Sequence, residues 1–351
     1  MEDSGGLNER KNNIDEKNKS LYINQKGISE KNNTNNNINS SLLLFFNQQL
    51  EKWDEVLNRY KELNKMETRE LTEDSFTIKL QWNPARMVST GAKLDAKTLA
   101  KRPCFLCAQN RPLQQIKKNF GNYEILVNPF PIMPNHFTIP SLEHRSQSIL
   151  NSYGMINELL QEYQDLMVFY NGPQCGASAP DHSHFQAGTN GLLPLQKYWD
   201  QLSKDLIEVV KINNVEGIFI INKYPCPALV IKSVTKENDE KLFKKLYDSL
   251  VILTEDSQEP PMNIVAWRKD IQYLAVVFPR SKRRPSCFNA KGDEQYMITP
   301  GALEMSGLMV TPRQEDFKRL KSEKAFDILR EVSIDKISLL KVVENLKKSK
   351  I

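Results

Sequence analysis

One pattern occurs twice in this 351-residue chain and limits its fold more than any other feature. Tyr123-Glu-Ile-Leu-Val127 reads as a strand, Asn-Pro-Phe-Pro as a turn, and His136-Phe-Thr-Ile-Pro140 as a second strand. Ile218-Phe-Ile-Ile221, Asn-Lys-Tyr-Pro-Cys-Pro and Ala228-Leu-Val-Ile231 repeat it. A helix-like stretch follows each copy, near 149–165 and 236–253. Two further strands close each copy: Met167–Tyr170 with His182–Ala187, and Asn263–Arg268 with Tyr273–Phe278. Such a repeat predicts a duplicated α+β unit, two antiparallel sheets with helices packed on them.

Residues 1–40 are rich in Asn, Lys, Ser and Glu, including Lys31-Asn-Asn-Thr-Asn-Asn-Asn. They hold too little apolar surface to offset the entropy of ordering, so a disordered tail is expected. Phe46, Leu50, Trp53, Leu57 and Tyr60 step by four and three, which predicts an amphipathic helix within 41–70. The remainder divides into halves at 71–200 and 201–351, the second ending in helices from Gln314 on, with Ser333 as an N-cap. Phe76, Ile78, Leu80 and Trp82 alternate with polar residues, as in a half-buried strand. The loop after that strand, Asn83–Lys93, carries Arg86 and Lys93 and suits an edge that faces a ligand.

Apolar residues make up 40% and charged residues 26%, the balance of a soluble globular protein. The net charge of +5 is spread without a dense basic block. That fits a small anionic substrate and gives nucleic acid no support. No apolar run approaches membrane-spanning length, and no signal pattern opens the chain, so no membrane partner is expected. Five cysteines fit a reduced, cytoplasmic protein better than a disulfide-stapled one. No organic cofactor is expected, and a homodimer stays open.

All four histidines lie between positions 136 and 184, and two of them stand in His182-Ser183-His184-Phe185-Gln186. On a strand, residues two apart share a face, so both imidazoles and Gln186 would point the same way. Just upstream, Asn171-Gly-Pro-Gln-Cys-Gly-Ala-Ser178 offers backbone N–H groups and small side chains, which suits a phosphate. Histidine beside such a loop can attack phosphorus. The second copy has no histidine, so the catalytic motif belongs to the first unit alone. Cys104-Phe-Leu-Cys107 suits either one metal ion or two free thiols. Arg280, Lys282, Arg283 and Arg284 follow the last strand of the second copy. They read as a phosphate clamp or as a solvated basic turn. Glu304 reads as a contact to sugar or base, or as a helix cap.

Asn171-Gly-x-x-x-Gly-Ala-Ser followed by His-x-His-x-Gln resembles the histidine-triad superfamily in its transferase branch. That branch holds galactose-1-phosphate uridylyltransferase, diadenosine tetraphosphate phosphorylase and the GDP-hexose phosphorylases; hydrolases of the superfamily tend to carry a third histidine where this chain has Gln186. Thr299-Pro-Gly-Ala-Leu-Glu304-Met-Ser-Gly307-Leu-Met-Val and Ile328-Leu-Arg-Glu-Val-Ser-Ile-Asp-Lys look like the C-terminal half of GDP-L-galactose and GDP-D-glucose phosphorylases. Gly176-Ala-Ser-Ala-Pro, His144-Arg-Ser-Gln and Phe278-Pro-Arg-Ser look closer to the diadenosine tetraphosphate phosphorylases. Three residues separate Ser178 from His182, one more than in the uridylyltransferase and tetraphosphate branches.

The resemblance implies a nucleotidyltransferase of phosphorylase type, with His184 as nucleophile and a nucleotidyl-histidine intermediate. A backbone carbonyl on the other ring nitrogen would fix the tautomer. Gln186 would donate to a non-bridging oxygen, and Asn171, Gly176 and Ser178 would spread the charge on the transferred group. Arg86, Lys93, Arg280 and Lys282 would hold the substrate's phosphates. The substrates implied are a nucleotide sugar of GDP-hexose type and inorganic phosphate. Dinucleoside polyphosphate phosphorolysis, hexose-1-phosphate uridylyl transfer and a nucleotide-binding regulator are the rivals. By the same resemblance a structural zinc would sit on Cys104, Cys107, His144 and His182, with His136 as a substitute ligand.

Overall fold

The structure, a computed structural model, describes residues 40–91, 98, 101–254 and 259–348. The tail expected over 1–40 therefore lies, Ser40 apart, outside the described residues, as does Lys93. Helices α1 (Ser40–Lys52) and α2 (Asp54–Leu63) stand where one helix was expected over 41–70. They part at Trp53, whose φ of −140° and ψ of 86° leave helical space. Leu42, Phe46, Leu50, Val56 and Tyr60 are buried, so the apolar stripe does face a core. Thr68 already opens strand β1 (Thr68–Glu73), which pairs antiparallel with β2 (Phe76–Trp82).

The first copy of the repeat follows as β3 (Lys118–Phe120), β4 (Tyr123–Val127), β5 (Phe137–Pro140), α3 (Gly154–Glu162), β6 (Leu166–Asn171) and β7 (His184–Thr189). The second is β8 (Leu206–Lys211), β9 (Gly217–Ile221), β10 (Leu229–Ser233), α4 (Lys236–Leu250), β11 (Met262–Lys269) and β12 (Gln272–Pro279). Strand β13 (Leu308–Thr311) and helices α5 (Ser322–Val332) and α6 (Lys336–Lys348) complete the larger elements.

Spatial order confirms the duplication. Read from its outer edge inward, one half-sheet runs β3-β4-β5-β7-β6 and the other β8-β9-β10-β12-β11. The two antiparallel half-sheets join where β6 pairs with β11, from Met167↔Trp267 to Asn171↔Asn263. Equivalent strands paired antiparallel place a local twofold between the copies, an internal version of a symmetric dimer. The halves 71–200 and 201–351 are consequently not separate bodies, because one ten-stranded sheet runs through both. Strand β13 adds a second link by pairing parallel with β2, in the register Leu308↔Lys79 to Thr311↔Trp82.

The sheet has two buried faces. Phe185, Ala187, Ile264, Ala266 and Val277 pack under Leu42, Ile156, Leu242 and Val342 from the helices. Met167, Phe169, Val265, Leu274, Val276 and Phe278 line the opposite face, beneath Ile78, Leu80, Phe326 and Leu329. Each such side chain contributes about 2 kcal/mol of burial. The copies diverge in their final hairpin. Residues 270–271 join β11 to β12, with Asp270 at φ 54°, whereas residues 172–183 join β6 to β7. That longer link carries the motif.

Ser333 does not cap α6. Asp335 does, its Oδ1 accepting from Ser338 N–H at 2.7 Å, while the Ser333 hydroxyl donates to Leu329 O at 2.8 Å. No described helix is long and apolar enough to cross a membrane.

Candidate active site

Strand alternation turns Phe185 and Ala187 into the helix-covered core and leaves His184 and Gln186 on the other face. On that face of β12 stand Leu274, Val276 and Phe278, all core residues, so the second copy has no equivalent chemistry. The His184 ring donates its Nδ1–H to the carbonyl of His182 at 2.8 Å. Its Nε2 therefore carries the lone pair, and it makes no hydrogen bond among the described residues. Burial pushes the imidazole down to about 4, against the opposing pull of that carbonyl. The ring is neutral near pH 7.

Gln147 mounts this residue, and the sequence reading missed its role. The His184 N–H and C=O face β6, away from Pro140, but the pairing of β6 with β7 ends at Phe169↔Gln186. The Gln147 amide fills the gap: its Oε1 accepts from His184 N–H at 2.7 Å, and its Nε2 donates to His184 O and Asn171 O, each at 3.0 Å. Gln147 is the last residue of His144-Arg-Ser-Gln, so a signal was present without its meaning.

Gln186 is held from its far side. Ile132 N–H donates to His136 Nδ1 at 3.4 Å, so the proton of His136 sits on Nε2 and points at Gln186 Oε1, 3.0 Å away. Burial first, then the Arg86 charge, push the His136 imidazole down to about 3, which keeps it neutral. With its oxygen turned to His136, Gln186 keeps its amide nitrogen as the donor for a ligand. His136 thus holds Gln186 and, among the described residues, lies outside the group Cys104, Cys107, His144 and His182. Replacing His136 with asparagine should lower kcat about tenfold at nearly constant KM. Added to Gln186→Ala, it should cost almost nothing further. Additive losses in steady-state kinetics would refute the coupling.

The loop before the motif is built partly for packing. Asn171 Oδ1 accepts from Ala302 N–H at 2.7 Å and from Asn263 Nδ2 at 2.8 Å, which leaves only its own Nδ2 for a ligand. Gly176 has φ +93°, and a Cβ there would meet Gly301 Cα at 3.1 Å. Glycine is required by both conformation and space. The carbonyl of Ser178 accepts from Arg102, which also pairs with Asp181 at 2.9 Å. Arg86 donates to Phe130 O at 3.4 Å and lies close enough to His136 and Glu304 to affect both. Glu304 caps its own helix: its Oε2 accepts from Gly301 N–H at 2.9 Å.

The structure separates two of the expected phosphate ligands, Arg280 and Lys282. Arg280 is buried, and all five of its N–H groups are used. Nε donates to Val332 O, Nη1 to Asn263 Oδ1 and Pro300 O, and Nη2 to Lys282 O and Arg283 O. Lys282 pairs with Glu331 at 2.9 Å on the exposed side. Arg280 has no donor left for substrate within this arrangement, whereas the Lys282 ammonium keeps donors beyond its ion pair.

Cys104, Cys107, His144 and His182 come together from three separate segments, their ligand atoms all within 4.8 Å of one another. His182 Nε2–H donates to Ser141 O at 2.9 Å, which turns the Nδ1 lone pair toward Cys104 Sγ at 3.4 Å and Cys107 Sγ at 3.6 Å. His144 Nδ1 is 3.2 Å from Cys107 Sγ. A tetrahedral Cys₂His₂ zinc site has S···N edges of about 3.6 Å, so the donor set fits. Zinc held there would anchor His182 two residues ahead of His184. Elemental analysis of purified protein should return about one zinc per chain, and chelation should lower Tm by on the order of 5 °C. A stoichiometry near zero would end this assignment.

Residues 45–189 match a family model described as a domain of unknown function (DUF4922), and residues 203–349 match the GDPGP1-like, C-terminal domain. Protein APA1 of Saccharomyces cerevisiae is 33% identical over 73 residues, 18% of this chain and 23% of that protein. The chain therefore matches under a quarter of that relative's length. Yeast Ap4A phosphorylase Apa2 in complex with Ap4A superposes with a TM-score of 0.54 at 16% identity, covering 82% of this chain and 97% of that one. A second structure of Apa2 gives 0.53 at 17%, covering 80% and 96%. At such identity the likeness is one of fold. Over 82% of its length, then, this chain shares the fold of yeast Ap4A phosphorylase Apa2, with the His-x-His-x-Gln strand in its first half and a GDPGP1-like domain matched in its second.

Proposed function

We propose that this chain transfers a nucleotidyl group through a covalent bond to His184 and phosphorolyses a nucleoside diphosphate sugar. The observation that carries the reading is the unbonded Nε2 of a neutral imidazole whose other nitrogen is tied to the His182 carbonyl. In the first step Nε2 attacks the α-phosphorus, a P–N bond forms, and the P–O bond to the departing sugar 1-phosphate breaks. In the second step an oxygen of inorganic phosphate attacks the same phosphorus. The P–N bond breaks, a nucleoside diphosphate leaves, and the lone pair returns to Nε2. Splitting one displacement into two is covalent catalysis.

Gln186 serves as a neutral donor to a non-bridging oxygen, held ready by His136. Loop N–H groups around Gly176 and the free Nδ2 of Asn171 spread the charge that develops on the transferred group, and such donors are worth about 3–4 kcal/mol each. The quartet around Cys104 has a structural role here. The GDPGP1-like match over 203–349 favours the nucleotide-sugar substrate. The fold shared with yeast Ap4A phosphorylase favours a second reading, phosphorolysis of a dinucleoside polyphosphate by the same two steps. A screen of GDP-, UDP- and ADP-sugars and dinucleoside polyphosphates, with phosphate present or absent, separates them. An acid-labile, base-stable nucleotidyl adduct is expected when phosphate is left out. Turnover without any adduct would defeat the covalent route.

A further inference from the structure

Four cations stand in a row after β12, and their surroundings differ sharply. Arg280 is saturated, and Lys282 is paired with Glu331. Arg284 donates to Thr90 O at 3.1 Å and stacks over Phe288 at 3.9 Å. Arg283 is the exception: its side chain has no hydrogen bond, ion pair or ring contact among the described residues. It is half-buried, and its Nε is occluded without an acceptor.

A guanidinium taken partly out of water without an acceptor is an unfavourable arrangement. Burial lowers the Arg283 guanidinium, and the ionisable group that counteracts it is the thiol of Cys175, inside the loop Asn171–Ser178. Burial pushes that thiol up to about 11, so at neutral pH it supplies no negative charge. The backbone of Arg283 is meanwhile fixed, because its carbonyl accepts from Arg280 Nη2 at 3.4 Å. Arg280 also grips Asn263, whose Nδ2 donates to both Asn171 Oδ1 and Cys175 O. Gln147 then links Asn171 O to His184 O. A chain of hydrogen bonds thus runs from the mount of Arg283 to the mount of the nucleophile.

We infer that Arg283 is a phosphate-binding residue, contributing its guanidinium to the anion that occupies the side of the loop Asn171–Ser178 next to Cys175. This rests on the transfer reaction proposed above and makes it more specific. The departing sugar 1-phosphate and the attacking inorganic phosphate occupy the same side of the intermediate in turn, so one cation serves both. Arginine suits the task because its planar fork meets two phosphate oxygens at once.

The test is Arg283→Met, with Arg283→Lys beside it. Because the side chain has no partner among the described residues, Tm of both variants should stay close to that of the unaltered chain. In Arg283→Met, kcat/KM should fall about 100-fold, and Arg283→Lys should recover part of the loss. The half-reactions separate the two phosphate sources. Adduct formation without phosphate reports the leaving group, and discharge of a preformed adduct by phosphate reports the acceptor. Both should slow, and unchanged rates in both would overturn the inference. Calorimetric titration of the full chain with inorganic phosphate alone gives a reading that needs no turnover. Arg283→Met should bind about tenfold more weakly, whereas equal affinity, or no binding by the unaltered chain, would also overturn it. A chain that forms no adduct with any nucleotide sinks the proposed reaction but leaves that titration decisive for Arg283.

Discussion

Replacing His184 with asparagine is expected to cut turnover by about four orders of magnitude or more and to abolish the labelled adduct. The protein should still fold. The ring makes one side-chain hydrogen bond, Nδ1–H to His182 O, and an asparagine amide can reach toward the same carbonyl. What is lost is the Nε2 lone pair, which no neighbour can replace because His136 and His182 have their nitrogens committed elsewhere. Single-turnover kinetics with a labelled nucleotide sugar, alongside thermal unfolding, check both halves of this result. Turnover retained by a folded His184→Asn protein would remove the mechanism.

Arg280→Met should produce the largest loss of stability, on the order of 4 kcal/mol or more and about 10 °C in Tm. The substitution would strand Val332 O, Asn263 Oδ1, Pro300 O, Lys282 O and Arg283 O in a buried setting. Arg280→Lys should rescue little, because a point ammonium with three donors cannot reach acceptors arranged around a planar fork. Differential scanning calorimetry reads this directly. An unchanged Tm with a raised KM for phosphate would return Arg280 to the role of a ligand and contradict its saturated geometry. The contrast between Arg280, which should matter for folding, and Arg283, which should matter for phosphate, is the sharpest consequence of this region.

The strands of both copies were legible wherever apolar residues formed compact runs: β4, β5, β9, β10, β11 and β12 fall within a residue or two of their expected places. The edge strands were not. Strand β3 is a short Lys-Asn-Phe, and β8 is broken by an irregularity between Glu208 and Val210, so neither shows clean alternation. Trp53 satisfied the helical spacing and yet ends a helix, since apolar periodicity does not report where the backbone turns. The basic run after β12 read as four similar cations, because charge along a sequence carries no account of which N–H groups meet carbonyls. Gln147 and His136 went unread in their actual roles for a related reason: each acts on a residue 37 or 50 positions away.

Local patterns alone settled the duplication, the strand that bears His184 and Gln186, and the restriction of the histidine chemistry to the first copy. These follow from short-range rules of alternation and composition. Tertiary structure alone decided that the half-sheets fuse through β6 and β11, that Gln147 and His136 hold His184 and Gln186, and that Arg280 is consumed while Arg283 is left without a partner among the described residues. Each of those outcomes depends on hydrogen bonds and packing between segments far apart in the chain. No window of neighbouring residues contains that information.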